Sequence, residues 1–164
     1  MSFQKQVNAN QALGNVGQIS KAHHSFLNVI PAIAADDFVK VGSFVQSSST
    51  ATNENEVVGA SGKQITGSIL GVVVRDSLKV AGDSTPTLEV KKGENCAILT
   101  EGSIFIEVNA QAAKGKYVFL KTADGSLGFF DTTTQSDYTY TGFRVSKGHD
   151  TTSAGLIEIT TARA

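Results

Sequence analysis

A chain of 164 residues and 17.2 kDa is one domain's worth of polypeptide, long enough to bury about 70% of its unfolded surface without staples. With 14 Lys+Arg against 15 Asp+Glu, a net charge of −1, it lacks the basic stripe of a nucleic-acid binder and the charge excess of a disordered tail. Its one cysteine excludes an internal disulfide framework and a multi-cysteine zinc site. The composition also sets the fold class. Ser, Thr and Gly occur 16 times each, with two Pro and no Trp, and helix-building runs of Glu, Lys, Leu and Arg are almost absent. Thr suits a pleated surface and Gly and Ser supply turns, so the chain reads as mainly β with many short strands.

Residues 1–35 differ from the rest. They are rich in amides and glycine, as in Asn8-Ala9-Asn10-Gln11, Gly14-Asn15 and Gly17-Gln18, and no strand or helix period lasts more than a few residues. The stretch reads either as a loose extension or as an arm that lies on a partner; fully extended, thirty residues reach on the order of 100 Å. It carries spaced apolar residues, Phe3, Val7, Leu13, Val16, Ile19, Phe26 and Leu27, too sparse for a core of their own. They suit docking into grooves on a neighbour, with amides such as Gln4 bonding partner backbone. These eight residues are the candidate contact set. The start has no apolar h-region, and the longest apolar runs, Val29 to Ala35 and Ile69 to Val74, are too short to span a membrane. Synthesis in a cytoplasm is expected.

The strand signal begins at Asp36, which sets a division into an arm, 1–35, and a β-domain, 36–164. Phe38 to Gln46 alternates, with Val39, Val41 and Val45 on one face and Phe38, Lys40 and Phe44 on the other. Ser47 through Glu56 is polar and reads as a surface loop. The continuous run Ile69-Leu70-Gly71-Val72-Val73-Val74 predicts a strand buried on both faces. Further strands follow at Leu88 to Val90, Cys96 to Leu99, Ile104 to Val108, Tyr117 to Lys121, Leu127 to Phe130, Tyr138 to Val145 and Leu156 to Thr160, punctuated by turns such as Lys92-Gly93-Glu94, Lys114-Gly115-Lys116 and Asp124-Gly125. Eight to ten short strands at this spacing predict a single antiparallel β-sandwich or barrel-like domain. Its core should contain Val72, Val74, Ile98, Ile104, Ile106, Val118, Leu120 and Ile157.

Catalysis needs convergent titratable groups, and none stand out. His23 and His24 are neighbours whose side chains diverge in an extended chain, and His149-Asp150 lies in a Gly/Ser/Thr loop. Cys96 opens a buried-looking strand, where a lone cysteine is usually a small core residue. Gly59-Ala60-Ser61-Gly62-Lys63 fails as a phosphate loop, since Val57 stands where the first Gly belongs and Gln64 replaces the Ser/Thr. Asp36, Asp37, Glu54 and Glu56 lack calcium-loop spacing. No catalytic residue, metal or cofactor is therefore expected.

Three segments carry a family resemblance. Phe3-Gln4-Lys5-Gln6-Val7 with Gln11-Ala12 and Gly14-Asn15-Val16-Gly17, the strand Val39 to Val45, and the series Ile69 to Arg75, Gly93 to Leu120 and Thr141-Gly142-Phe143-Arg144-Val145 together resemble the structural cement proteins of tailed bacteriophages. The likeness runs over most of the chain; Ser43 stands where the family commonly has Arg, and the Ser/Thr-rich loop 47–56 matches no pattern of the family. It implies a capsid decoration role: a β-domain on the outside of the shell, clamping neighbouring major capsid protein subunits against internal DNA pressure, with no enzyme activity. Expected partners are the major capsid protein and further copies of the chain, as a dimer or trimer, with no nucleic acid and no membrane. Phe3, Phe26, Phe38, Phe129 and Phe130, more rings than one small core needs, favour self-association. An alternative reading is a receptor- or glycan-binding module of a phage fibre or tail, with Tyr138, Tyr140 and Phe143 as an aromatic platform.

Overall fold

The computed structural model describes residues 14–20, 27–37, 39–48, 53–75 and 88–161. Among these there is no helix, and twelve strands follow in chain order. They are β1 (Asn28–Ala34), β2 (Val39–Lys40), β3 (Phe44–Ser47), β4 (Glu56–Gly59), β5 (Ile69–Val73), β6 (Glu89–Val90), β7 (Asn95–Glu101), β8 (Ser103–Val108), β9 (Tyr117–Lys121), β10 (Leu127–Phe130), β11 (Tyr138–Lys147) and β12 (Gly155–Thr161). Five of them close a small barrel in the order β1-β4-β3-β5-β7, and five form a second sheet in the order β10-β9-β11-β12-β8; β2 and β6 pair as a short ribbon. All pairings are antiparallel except β1 with β4. The fold is therefore barrel-like with a packed second sheet, as the strand pattern predicts.

Two cores follow from this arrangement. Val45, Val57, Val73 and Ile98 gather with Ala32 and Ala34 from the barrel strands. Phe44, Val72 and Leu99 meet Ile104, Ile106, Val118, Leu120, Phe143 and Ile157 between barrel and sheet. Adjacent residues of β5 and β7 thus serve different cores, Val72 and Leu99 one, Val73 and Ile98 the other, which is why the run through Val73 is apolar on both faces. Of the predicted core, Val74 alone is half-buried at the fringe; the other seven side chains are buried. Gln46 is a polar member of the interior. Its amide donates to Gln64 O at 3.1 Å and accepts from the N–H groups of Thr66 and Gly67 at 2.8 and 2.9 Å, so its burial is compensated.

Several elements differ from the sequence reading. β1 lies inside the stretch assigned to the arm and contributes a wall of the barrel. Its small alanines and Pro31 hide the alternation, yet the proline fits. Ala34 N–H bonds Glu94 O on the β7 side and Ile33 N–H bonds Asn55 O on the β4 side. The missing N–H of Pro31 therefore falls on the β4 side, before that pairing starts at Ile33. The stretch Phe38 to Gln46 is not one strand; a turn at Val41–Ser43 splits it, although Val39, Val41 and Val45 still share a core. β4 occupies the end of the predicted loop and the start of the glycine motif.

The described part of the N-terminal segment, residues 14–20, extends the second sheet. Ile19 bridges Ile104 antiparallel, Gly17 N–H bonds Phe105 O, Phe105 N–H bonds Gln18 O and Ser20 N–H bonds Ser103 O. Gly17 and Gly42, both at positive φ (73° and 74°), let two turns meet face to face. A Cβ on Gly42 would lie 2.3 Å from Val16 Cγ1, and one on Gly17 2.3 Å from Val41 Cγ1, so both positions need glycine.

Candidate functional site

Several of the titratable residues singled out by sequence are held in structural roles. Lys63 of the glycine motif forms a salt bridge with Asp36, whose other carboxylate oxygen accepts from Gly59 N–H at 3.4 Å. The motif is thus tied to the start of the β-domain. Asp37 accepts from the backbone of Lys92 at 2.9 Å, and Glu56 accepts from the amide of Asn53 at 2.9 Å. The His149 ring organises its own loop, with Nε2 2.8 Å from Thr151 Oγ1 and 3.0 Å from Ser153 O. Cys96 is half-buried beside the barrel core. Among the described residues no three His, Cys, Asp or Glu side chains are placed to hold a metal ion. His23 and His24 lie outside the described residues.

The candidate contact residues divide. Phe3, Gln4, Val7, Leu13 and Phe26 lie outside the described residues. Val16 rests against Gly42, and Ile19 packs at the fringe of the core between barrel and sheet; both face their own chain. Leu27 is 51% exposed at the foot of β1, with Val29 exposed beside it.

The outer face of the second sheet carries an aromatic layer. Period two sends Val118 and Leu120 of β9 inward and Tyr117 and Phe119 outward. There Phe119 packs on Phe130 (5.4 Å between centroids) and Tyr140 (5.3 Å), Tyr140 on Tyr117 (5.7 Å) and Tyr138 on Phe130 (4.9 Å). Phe119 is 1% exposed beneath its neighbours. Burial pushes the Tyr140 phenol above its ordinary pKa; Tyr117 adds to this and Arg144 opposes it. Phe143 does not belong to this layer. Its odd number places it on the inner side of β11, where it is 2% exposed and meets Phe44 edge-on at 5.7 Å. The predicted three-ring platform is therefore two tyrosines among other rings. Phe129 packs against the core and Phe130 against Phe119 and Tyr138, so neither ring is surplus. Phe3, Phe26 and Phe38 lie outside the described residues.

Two features escape sequence reasoning. On the outer face, Glu158 of β12 is 1% exposed; its Oε2 lies 3.1 Å from Lys147 Nζ but accepts no aligned hydrogen bond. A bulge between Val145 and Lys147 sets Lys147 opposite Glu158, and the ammonium also lies 5.9 Å from the Phe105 ring centroid. Only the alternation of β12 could have marked Glu158 as outward, and nothing in sequence marks it as covered. The second feature is a cavity of about 410 Å³ lined by β8 and the residues after it (Ile106 to Ala110), by β10 (Leu127, Phe129) and by the turn before β3. β8 and β10 are the two edges of the second sheet, so the sheet curls until its edges face one cleft.

The described residues thus leave sheet edges, an aromatic layer and a cleft on the outside of the fold. No curated protein matches it. A family model described as structural cement protein (E217 gp24/Pam3 gp6) matches residues 3–162, nearly the whole chain and including every strand above. The chain belongs to this family and is a structural cement protein of a phage capsid.

Proposed function

We propose that the protein decorates the outside of the capsid, bridging neighbouring major capsid protein subunits and holding the shell against the pressure of packaged DNA. The family match over residues 3–162 carries this reading. The residues in hand suit it, because several charged side chains, Lys63 with Asp36, Lys116 with Asp131 and Lys147 with Glu158 among them, are spent on links within the fold. On this reading the protein has no enzymatic role and works by mass action. It stabilises the assembled shell by the difference in its affinity for shell and for free subunits, about 2.7 kcal/mol per site at a hundredfold excess over Kd. Self-association as a dimer or trimer would join such sites and multiply their hold.

Residues 1–13 are the proposed contact element, with Phe3, Gln4, Val7 and Leu13 as its contacts and Phe26 and Leu27 as a second patch. Ordering an arm costs roughly 1–2 kcal/mol of backbone entropy per residue, so only an extensive contact offsets it and partial truncation should weaken binding steeply. The test is co-sedimentation with purified heads that lack the protein. Saturable binding by the full chain, sharply reduced when residues 2–13 are deleted, is the expected result. Absence of binding by the full chain would overturn the decoration reading; undiminished binding of the truncated chain would overturn the role of the arm.

A further inference from the structure

One continuous rung of side chains crosses the outer face of the second sheet. Phe130 of β10 stands opposite Tyr117 of β9, Tyr117 opposite Arg144 of β11, Arg144 opposite Thr160 of β12 and Thr160 opposite Ser103 of β8. β11 is the middle strand, so Arg144 stands at the centre of this face, and it is exposed. The tyrosines beside it pack ring against ring, which leaves little side-chain freedom to lose when something docks. Tyr117, Tyr138 and Tyr140 are half-buried, and none of their hydroxyls makes a hydrogen bond among the described residues. The charges on this face do not balance. Its five strands carry two carboxylates, Glu107 and Glu158. Glu158 is covered and spent on Lys147 at 3.1 Å, and Glu107 lies on the edge strand β8, opposite Leu156 and away from the central rung. Lys121 and Lys116 are engaged with Asp124 and Asp131. Arg144 forms no ion pair among the described residues. A guanidinium has donors only, and these find no acceptor within the described fold.

We infer that this face docks on the shell through Arg144, which holds a carboxylate side chain exposed by a major capsid protein subunit, with Tyr117 and Tyr140 packed about that contact. The inference rests on the decoration reading above and adds to it the face, the anchor and the acidic chemistry of the partner. Charge complementarity selects that chemistry. An uncompensated guanidinium framed by tyrosine rings matches a carboxylate, which arginine binds through two parallel hydrogen bonds while the rings supply flat contact and exclude water. The route of the chain selects the same face. Gly14 sits against the ring of Phe105, where an added Cβ would be 2.5 Å from Cδ2. Phe105 stands opposite Glu158, on the rung next to that of Arg144 and Thr160. The residues before Gly14, the proposed arm, therefore set out from the face that carries Arg144, and arm and patch meet one surface together. Joining two contacts in this way raises the hold of each.

The experiment uses the full chain and purified heads that lack the protein, with co-sedimentation read as a binding curve. Wild type and Arg144→Glu are compared on untreated heads and on intact heads whose surface carboxylates have been amidated. Wild type should bind untreated heads saturably, and Arg144→Glu should raise Kd by about thirtyfold or more, the range of a central interface anchor. Arg144→Lys should fall between the two, because an ammonium cannot make the planar paired contact. Amidation should weaken wild type and bring the two chains to nearly one Kd. Arg144 is exposed, so the variants should melt with wild type; should Arg144→Glu not fold, Arg144→Gln decides by the same comparison. Wild type that fails to bind untreated heads would overturn the decoration reading and the inference with it. Wild type and Arg144→Glu binding untreated heads with one Kd would overturn the inference and leave that reading standing. A penalty for Arg144→Glu that persists undiminished on amidated heads would show that Arg144 meets something other than a carboxylate, and would overturn it equally.

Discussion

Replacing Phe143 by Ala tests the joint between barrel and sheet. The ring is 2% exposed and meets Phe44 edge-on, with 75° between the ring planes, inside the cluster that joins the two layers. Removing a buried Phe side chain costs about 3–5 kcal/mol, the transfer loss plus the cavity left behind. A domain of this size is stable by roughly 5–15 kcal/mol, so the variant should keep its fold with a much reduced margin. At about 2–4 °C per kcal/mol the melting temperature should fall by roughly 6–20 °C. Phe44→Ala should behave alike, and the double variant should show a coupling of about 0.5–1.5 kcal/mol for the aromatic pair. Urea denaturation followed by far-UV circular dichroism gives all three values. Tyr138→Ala, on the outer layer, should cost clearly less. A Phe143→Ala change within about 0.5 kcal/mol of wild type would place this ring on the surface beside the tyrosines and refute the assignment.

The other predictions probe the N-terminal segment and the outer face. Gly42→Ala forces a Cβ to 2.3 Å from Val16 Cγ1 at φ +74°. It should cost more than about 1 kcal/mol and speed hydrogen exchange at Phe105 and Ser20, whose N–H groups tie residues 14–20 to β8; unchanged exchange would contradict that docking. Lys147→Met leaves the covered Glu158 carboxylate without its cation, so the loss should exceed the ~1 kcal/mol ceiling of ordinary exposed pairs. Adding Glu158→Gln should recover much of it, and a failure to recover would argue against the pair. The Asp124 carboxyl is held below its ordinary pKa of 3.8, first by the Ser126 hydroxyl, then by the Ser126 N–H, with Lys121 helping. Because the folded pKa is the lower one, this contribution to stability is present above the unfolded pKa and is lost as pH falls through the folded value. An NMR titration should place Asp124 below 3.8, and Ser126→Ala should move it upward; a wild-type midpoint at or above that value would contradict the contact.

Period-two patterning made much of the second sheet legible. Ile104, Ile106 and Val108 alternate with Phe105 and Glu107 as read, and their face is the packed one. The same rule, applied strictly, puts Phe143 opposite Tyr138 and Tyr140, which the grouping of the three rings overlooked. The barrel was harder to read. β1 is built on two alanines and a proline, so its burial comes from β7, more than sixty residues away, and leaves little trace in local composition. β4 has only Val57 and Val58 between a polar loop and a glycine motif. The burial of Glu158 and Phe119 depends on what crosses over them, and the cleft depends on how far the sheet curls. These are properties of pairing between distant segments, which alternation within one strand cannot express. The sites that mattered in sequence, Lys63, Asp36 and His149, turned out to be fastened within the fold.

The central claim is that the protein reinforces an assembled shell. It is tested most directly by heating DNA-filled heads stripped of the protein, with and without the purified chain added back, and recording the temperature at which DNA is released. The account predicts a release temperature that rises with occupancy and levels off when the sites are full, with empty heads, which carry no internal pressure, gaining far less in function from the same binding. Heads that bind the protein to saturation yet release their DNA at an unchanged temperature would contradict it.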